Sequence, residues 1–216
     1  MEESKKKNMK KERKFGLKEF PRPLEIAYGG IMKGFNRQNQ LFSLCGLNCG
    51  LCPMFLNKYC PGCGGGEGNQ SCRIAKCSME HADIEYCFQC SEYPCSKFEH
   101  IDDFDSFITH LHRRADLEKA KESGIEAYNA EQIEKAAILN ILLSEYNAGR
   151  QKTMFCVAVN LLDMQELREV IKEIKKKKDD METWTLKEKS AFVVGLLQEA
   201  AAKKNIDLKL RKKKRG

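Results

Sequence analysis

From residue 97 onwards the apolar positions recur three and four residues apart, the period of an amphipathic helix. Phe104, Phe107, Ile108 and Leu111 fall on one such face. Residues 117–123 predict a short helix stopped by Gly124. Residues 131–146 predict a longer one, with Ile133, Ala137, Ile138, Ile141 and Leu142 as its stripe and Asn147-Ala148-Gly149 as its end. Met154, Phe155, Ala158, Leu161 and Leu162 form the next stripe. Asp163, with Glu166 three residues on, makes a capping box. It opens a helix that buries Leu167, Val170, Ile171 and Ile174 and ends in lysines, which suit the negative end of the helix dipole. After a polar linker at 179–182, Thr185 and Glu188 form a second box. The helix behind it, 186 to about 203, presents Phe192, Val193, Leu196, Leu197 and Ala200. Ile206, Leu208 and Leu210 then alternate with polar residues, as a lone strand or an ordered start to the chain end would.

Upstream of 97 the helical period is missing. Residues 15–44 contain Pro21, Pro23, Gly29, Gly30 and Gly34 and predict an irregular lead-in with one short helix around 24–28. Residues 45–95 are rich in glycine and predict short turns. The fold expected is mainly α: an irregular cysteine-rich metal-knuckle module packed on a C-terminal helical array. The organisation expected is a disordered basic tail at 1–14, a lead-in and cysteine-rich metal-binding module at 15–97, a helical region at 98–203, and a basic tail at 204–216.

Charge sharpens that division. The net +7 is carried by the ends: residues 1–14 hold seven Lys/Arg against three Asp/Glu, and residues 203–216 hold eight against one, which leaves −4 for 15–202. The expected folded part is mildly acidic. Basic ends of this kind contact nucleic acid only nonspecifically, and solvated tails are the plainer reading. No apolar run is long enough to cross a membrane, and the charged start has no apolar segment behind it, so a cytoplasmic location is expected. In that reducing compartment thiols stay free to bind metal.

The chemistry lies in the cysteines. Ten of eleven fall between 45 and 95: Cys45, Cys49, Cys52, Cys60, Cys63, Cys72, Cys77, Cys87, Cys90 and Cys95. Cys49/Cys52, Cys60/Cys63 and Cys87/Cys90 are C-x-x-C pairs, the spacing that aims two sulfurs at one tetrahedral ion. In Cys60-Pro61-Gly62-Cys63-Gly64 the proline fixes φ, and a glycine free to take positive φ lets backbone N–H groups point at sulfur. All ten are candidate metal ligands. Cys60, Cys63, Cys72 and Cys77 form the natural first quartet by sequence proximity, leaving two triads, Cys45/Cys49/Cys52 and Cys87/Cys90/Cys95.

The string Cys45-Gly46-Leu47-Asn48-Cys49-Gly50-Leu51-Cys52-Pro53 resembles the opening motif of the domain-of-unknown-function 3795 family. Cys60-Pro61-Gly62-Cys63, then Cys72-Arg73-Ile74-Ala75-Lys76-Cys77, then Cys87-Phe88-Gln89-Cys90 with Tyr93-Pro94-Cys95 resemble its later motifs. Residues 147–150 and 155–162 resemble a segment of longer members. The resemblance implies a cysteine-rich, metal-binding protein and no particular reaction.

Zinc is the expected cofactor, as structural zinc takes four thiolates and contributes folding energy directly. An iron–sulfur cluster, for electron transfer or redox sensing, uses the same ligands and is the alternative. Cys45-x3-Cys49-x2-Cys52 also has a radical-enzyme spacing, but the strand–helix alternation of a large barrel is absent. No catalytic constellation stands out. His81 and His100 are spare beside ten thiols, and Cys156 reads as a packing residue. The expected role is therefore scaffold or interaction, with a protein partner, no membrane, and nucleic acid only through the tails as a third reading.

Overall fold

The computed structural model describes residues 34–66, 72–81 and 84–213. The tail at 1–14 and the short helix expected around 24–28 lie outside the described residues. Those described form seven α-helices and no strand: α1 Pro53–Leu56, α2 Arg73–Glu80, α3 Arg113–Ser123, α4 Ile125–Glu145, α5 Lys152–Leu161, α6 Met164–Lys176 and α7 Leu186–Lys203. Among them no helix is long and apolar enough to cross a membrane.

The helix boundaries follow local chemistry. Gly124 takes φ +84°, breaking the chain between α3 and α4. Both capping boxes form: Asp163 N–H donates to Glu166 Oε2 at 2.8 Å at the start of α6, and Thr185 N–H donates to Glu188 Oε2 at 2.7 Å at the start of α7. The linker expected at 179–182 is a 3-10 turn, Asp180–Thr183, pinned by buried Met181.

α5 is the axis of the helical array. Its residues 155–161 are all buried, and α4 packs along it. Leu139, Leu142, Phe155, Val159, Leu162, Leu167, Val193 and Leu197 are fully buried and form the main core with partners from α6 and α7. Each such side chain is worth about 1.5–3 kcal/mol of transfer free energy.

Two expectations need correction. α4 begins at Ile125; Ile138 and Leu142 of the expected stripe are buried, but together with Tyr128, Gln132, Lys135, Ala136 and Leu139, while Ile133 is 43% exposed. Residues 133–143 are apolar on nearly every side, so periodicity alone could not choose the face. Second, no helix forms across 99–112. The Asp105 carboxylate is wholly buried there and accepts the N–H of His110 at 2.8 Å, which fixes a turn in place of a helix. Ile108 is buried, but Phe104, Phe107 and Leu111 are exposed. Of the two readings for the residues beyond α7, the ordered start to the chain end is the one found: no strand forms, Ile206 and Leu208 pack against the main core, and Arg211 is held by Asp105 through its backbone N–H at 2.8 Å and its Nη2 at 2.7 Å.

A second core joins the cysteine-bearing stretch to the helices. Phe42, Leu44, Ile74, Tyr86 and Phe98 pack with Leu117 and Ala120 of α3 and Tyr128 of α4. The Phe42 ring lies 4.5 Å from Tyr128 and 5.5 Å from Tyr86.

The burial of α4 is checked by two truncations. Leu139→Ala should lower the unfolding free energy by about 2–5 kcal/mol, and Ile133→Ala by no more than about 0.5 kcal/mol, in denaturant titrations. The reverse order would restore the face expected from the sequence.

Candidate metal centre

Residues 43–52 form a tight loop. Ser43 N–H donates to Leu47 O at 2.8 Å, and Ser43 Oγ accepts the Leu47 N–H at 2.6 Å. Gly46 sits at φ +93°, and a Cβ there would lie 2.3 Å from Arg113 O on α3, so the loop can seat only with glycine at this position. A 3-10 turn, Cys49–Leu51, leads into α1, which has Pro53 at its first turn. Backbone N–H groups are directed at sulfur along this stretch: those of Met54 and Phe55 at Cys52, that of Cys63 at Cys49, and that of Leu44 at Cys63. The turn at 60–65 has Gly62 at φ +85° and Gly64 at φ +77°, as its sequence required.

The second stretch places Cys72 at the start of α2, Cys77 within it, Cys87 at the head of a 3-10 turn and Cys95 before another. The two stretches are joined by the Cys87 N–H, which donates to Leu44 O at 2.9 Å.

All eleven cysteines are free thiols. Cys49 lies near Cys63, Cys45 and Cys52, close enough that a charge on one raises the energy of a charge on the next. Cys87 is similarly near Cys45, Cys95, Cys77 and Cys63, and so stands between the two stretches. Cys77, Cys87, Cys90 and Cys95 line a cavity of about 20 Å³ together with Ile74, Phe98 and neighbours, room for one small atom or ion. The quartet inferred from sequence proximity is therefore divided: Cys60 and Cys63 stand with Cys52 and Cys49, and Cys77 stands with Cys87, Cys90 and Cys95. Cys72 is exposed at the start of α2. Among the described residues no three His, Cys, Asp or Glu are arranged closely enough to hold a metal ion, so the sulfurs are gathered without being closed on one point.

The electrostatics follow from burial. Desolvation pushes the Cys63 thiol up to about 11 against the opposing pull of Arg37, and raises Cys49, Cys52 and Cys87. These four sulfurs keep their protons at neutral pH unless a cation displaces them, the usual linkage between metal uptake and proton release. The donor set fits a borderline or soft metal ion: unbridged thiols from two stretches, with backbone N–H groups pointed at three of the sulfurs.

Two histidines separate. His81 Nδ1 lies 3.5 Å from Cys77 Sγ and 2.8 Å from Cys77 O, while His100 is exposed and pairs with Asp103. Cys156 is buried on α5, its thiol pushed up to about 12 mainly by burial, and it borders Cys52. Sequence reasoning missed two cations at the sulfurs. Lys97 lies beside Cys77, and buried Arg37, in the stretch read as an irregular lead-in, lies beside Cys63, each cation favouring the charged sulfur. A lone arginine outside every motif carried no signal.

A polar network anchors the cysteine loop to the helices. Buried Asn48, the residue before Cys49, donates through Nδ2 to Asp116 Oδ2 of α3 at 2.9 Å and accepts the Tyr128 hydroxyl of α4 at 2.9 Å. Burial pushes the Asp116 carboxyl up to about 7, against the opposing pull of Lys135, itself buried and shifted down by desolvation.

Residues 41–100 match the family described as "Protein of unknown function (DUF3795)", which covers all ten clustered cysteines. No curated protein and no solved structure matches the chain.

The Asp116 shift gives a signed pH dependence. A carboxyl raised in the folded state contributes stability that is complete below its unfolded value near 3.8 and is lost as pH rises through about 7. The stability of the native chain relative to Asp116→Asn should therefore fall between pH 4 and 7, measured as paired denaturant titrations. A difference that stays flat over that window would show that Asp116 titrates normally.

Proposed function

We propose that residues 45–95 form a thiolate metal centre, loaded with zinc, whose work is to organise this part of the chain for a scaffold or interaction role. The observation that carries the reading is the convergence of unbridged cysteines from 45–63 and 77–95 around Cys45 and Cys87, with main-chain N–H groups directed at their sulfurs. Such N–H groups stabilise anionic sulfur and are otherwise wasted on a neutral thiol. Cys45, Cys49 and Cys63 with Cys87 would serve one ion, and Cys77, Cys90 and Cys95 the other, with Cys87 placed to reach either. Cys52 and Cys60 border the first group and Cys72 the second.

Once bound, the metal supplies cross-links that stand in for apolar burial and lowers the charge of the thiolates. The chain's own residues do the rest: Gly46 lets the loop approach α3, Asn48 ties it to Asp116 and Tyr128, and the glycines at 62 and 64 turn the second pair.

Elemental analysis of protein purified without oxygen tests the reading. At least two metal equivalents per chain are expected, in a colourless preparation if the metal is zinc. A brown preparation with iron and sulfide would assign the centre to an iron–sulfur cluster. Less than one equivalent from metal-replete, reducing growth would contradict metal binding.

A further inference from the structure

Arg37 precedes the family match, and nothing in the cysteine motifs points to it. Its side chain is nevertheless only 2% exposed. Nε donates to Glu85 O at 3.1 Å, Nη1 to Asn39 O at 3.0 Å and Phe42 O at 2.9 Å, and Nη2 to Glu85 O at 2.7 Å. Those bonds engage four of the five guanidinium N–H groups. The side chain also lies near the Cys63 sulfur, where its charge favours the thiolate. The plane is fixed from above by Tyr86, 4.9 Å from the guanidinium carbon, and Glu85 Oε2 lies 3.3 Å from Nε.

The cysteine turn is shaped around this arginine. The Arg37 N–H donates to Gly64 O at 3.2 Å. A Cβ on Gly64 would stand 2.7 Å from Arg37 Cβ and Cγ, and a Cβ on Gly62 would stand 2.6 Å from Gln40 O, so both glycines admit residues 37–40. A buried guanidinium held this rigidly is an expensive feature unless it faces anionic charge. The Glu85 carboxylate is one such charge, and metal-bound sulfur is the other.

We propose that Arg37 is the fixed counter-charge and positioning residue of the Cys45/Cys49/Cys63 thiolates, so that the metal-holding unit begins near residue 35, before the first cysteine. The assignment rests on the metal reading above. Four thiolates around a divalent ion carry a net −2, and an arginine at one sulfur offsets half of it while aiming that sulfur. Lys97, half-buried beside Cys77, plays the looser counterpart at the second group.

The test is zinc competition against a chromogenic chelator for the full chain, with the cobalt-substituted absorption spectrum as a second readout. Arg37→Met should release one equivalent about 10–100-fold more readily, the range seen for residues that support metal ligands. Its sulfur-to-cobalt charge-transfer band should shift, and Lys97→Met should leave that equivalent unchanged. A folded Arg37→Met chain with the native competition curve and cobalt band would overturn the assignment alone. Should that variant not fold, Arg37→Lys decides. An ammonium has three donors and cannot serve the carbonyls and the sulfur together, so weakened binding and a moved band are expected, and native values for both would overturn it. A native chain that binds neither zinc nor cobalt would overturn the metal reading itself, and this assignment with it.

Discussion

Sulfurs that sit side by side in a desolvated pocket cannot all be ionised without something positive between them, and most of the architecture at 35–98 answers that constraint. Burial and mutual repulsion both raise the thiols of Cys49 and Cys87. The offsetting charges are the main-chain N–H groups at Cys49, Cys52 and Cys63, the guanidinium at Cys63 and the ammonium at Cys77. These supply part of what is needed. In the proposed function a metal ion would supply the remainder, and the small cavity lined by Cys77, Cys87, Cys90 and Cys95 has room for one small ion.

The consequence spreads beyond the cysteines because the second core is shared. Phe42, Leu44, Tyr86 and Phe98 come from the cysteine-bearing stretch, and Leu117, Ala120 and Tyr128 from α3 and α4. Asn48, between two cysteines, bonds to Asp116 and lies against Tyr128. Whatever orders the loop at 43–52 therefore also seats α3. The main core around α5 draws on α4, α6 and α7, with Leu51 as the contribution of the cysteine loop, and does not depend on the sulfurs in the same way.

Where a local rule decides structure, the chain could be read from its sequence. Asp163 and Thr185 cap their helices as their spacing to Glu166 and Glu188 requires, and Gly124 ends α3. Where several faces are equally apolar, as in α4, the choice belongs to tertiary packing, and the buried stripe includes Gln132 and Lys135, which hydropathy would place in solvent. The helical period at 104–111 was overridden by one buried carboxylate, Asp105, whose partner Arg211 lies 106 residues away. Cysteine spacing marked out the candidate sulfurs; their grouping in space was not legible, because Cys63 and Cys87 meet through the fold. Arg37 was illegible for the same reason.

The most direct test of this account is amide hydrogen exchange, read by mass spectrometry, on the full metal-loaded chain before and after chelation. Chelation should remove protection from 41–98 and from α3, while α4 to α7 stay protected, since the main core persists without the sulfurs. Protection at 41–98 that survives complete metal removal, or that is lost together with α4 to α7 in one step, would contradict the claim that a thiolate-bound metal organises this half of the structure.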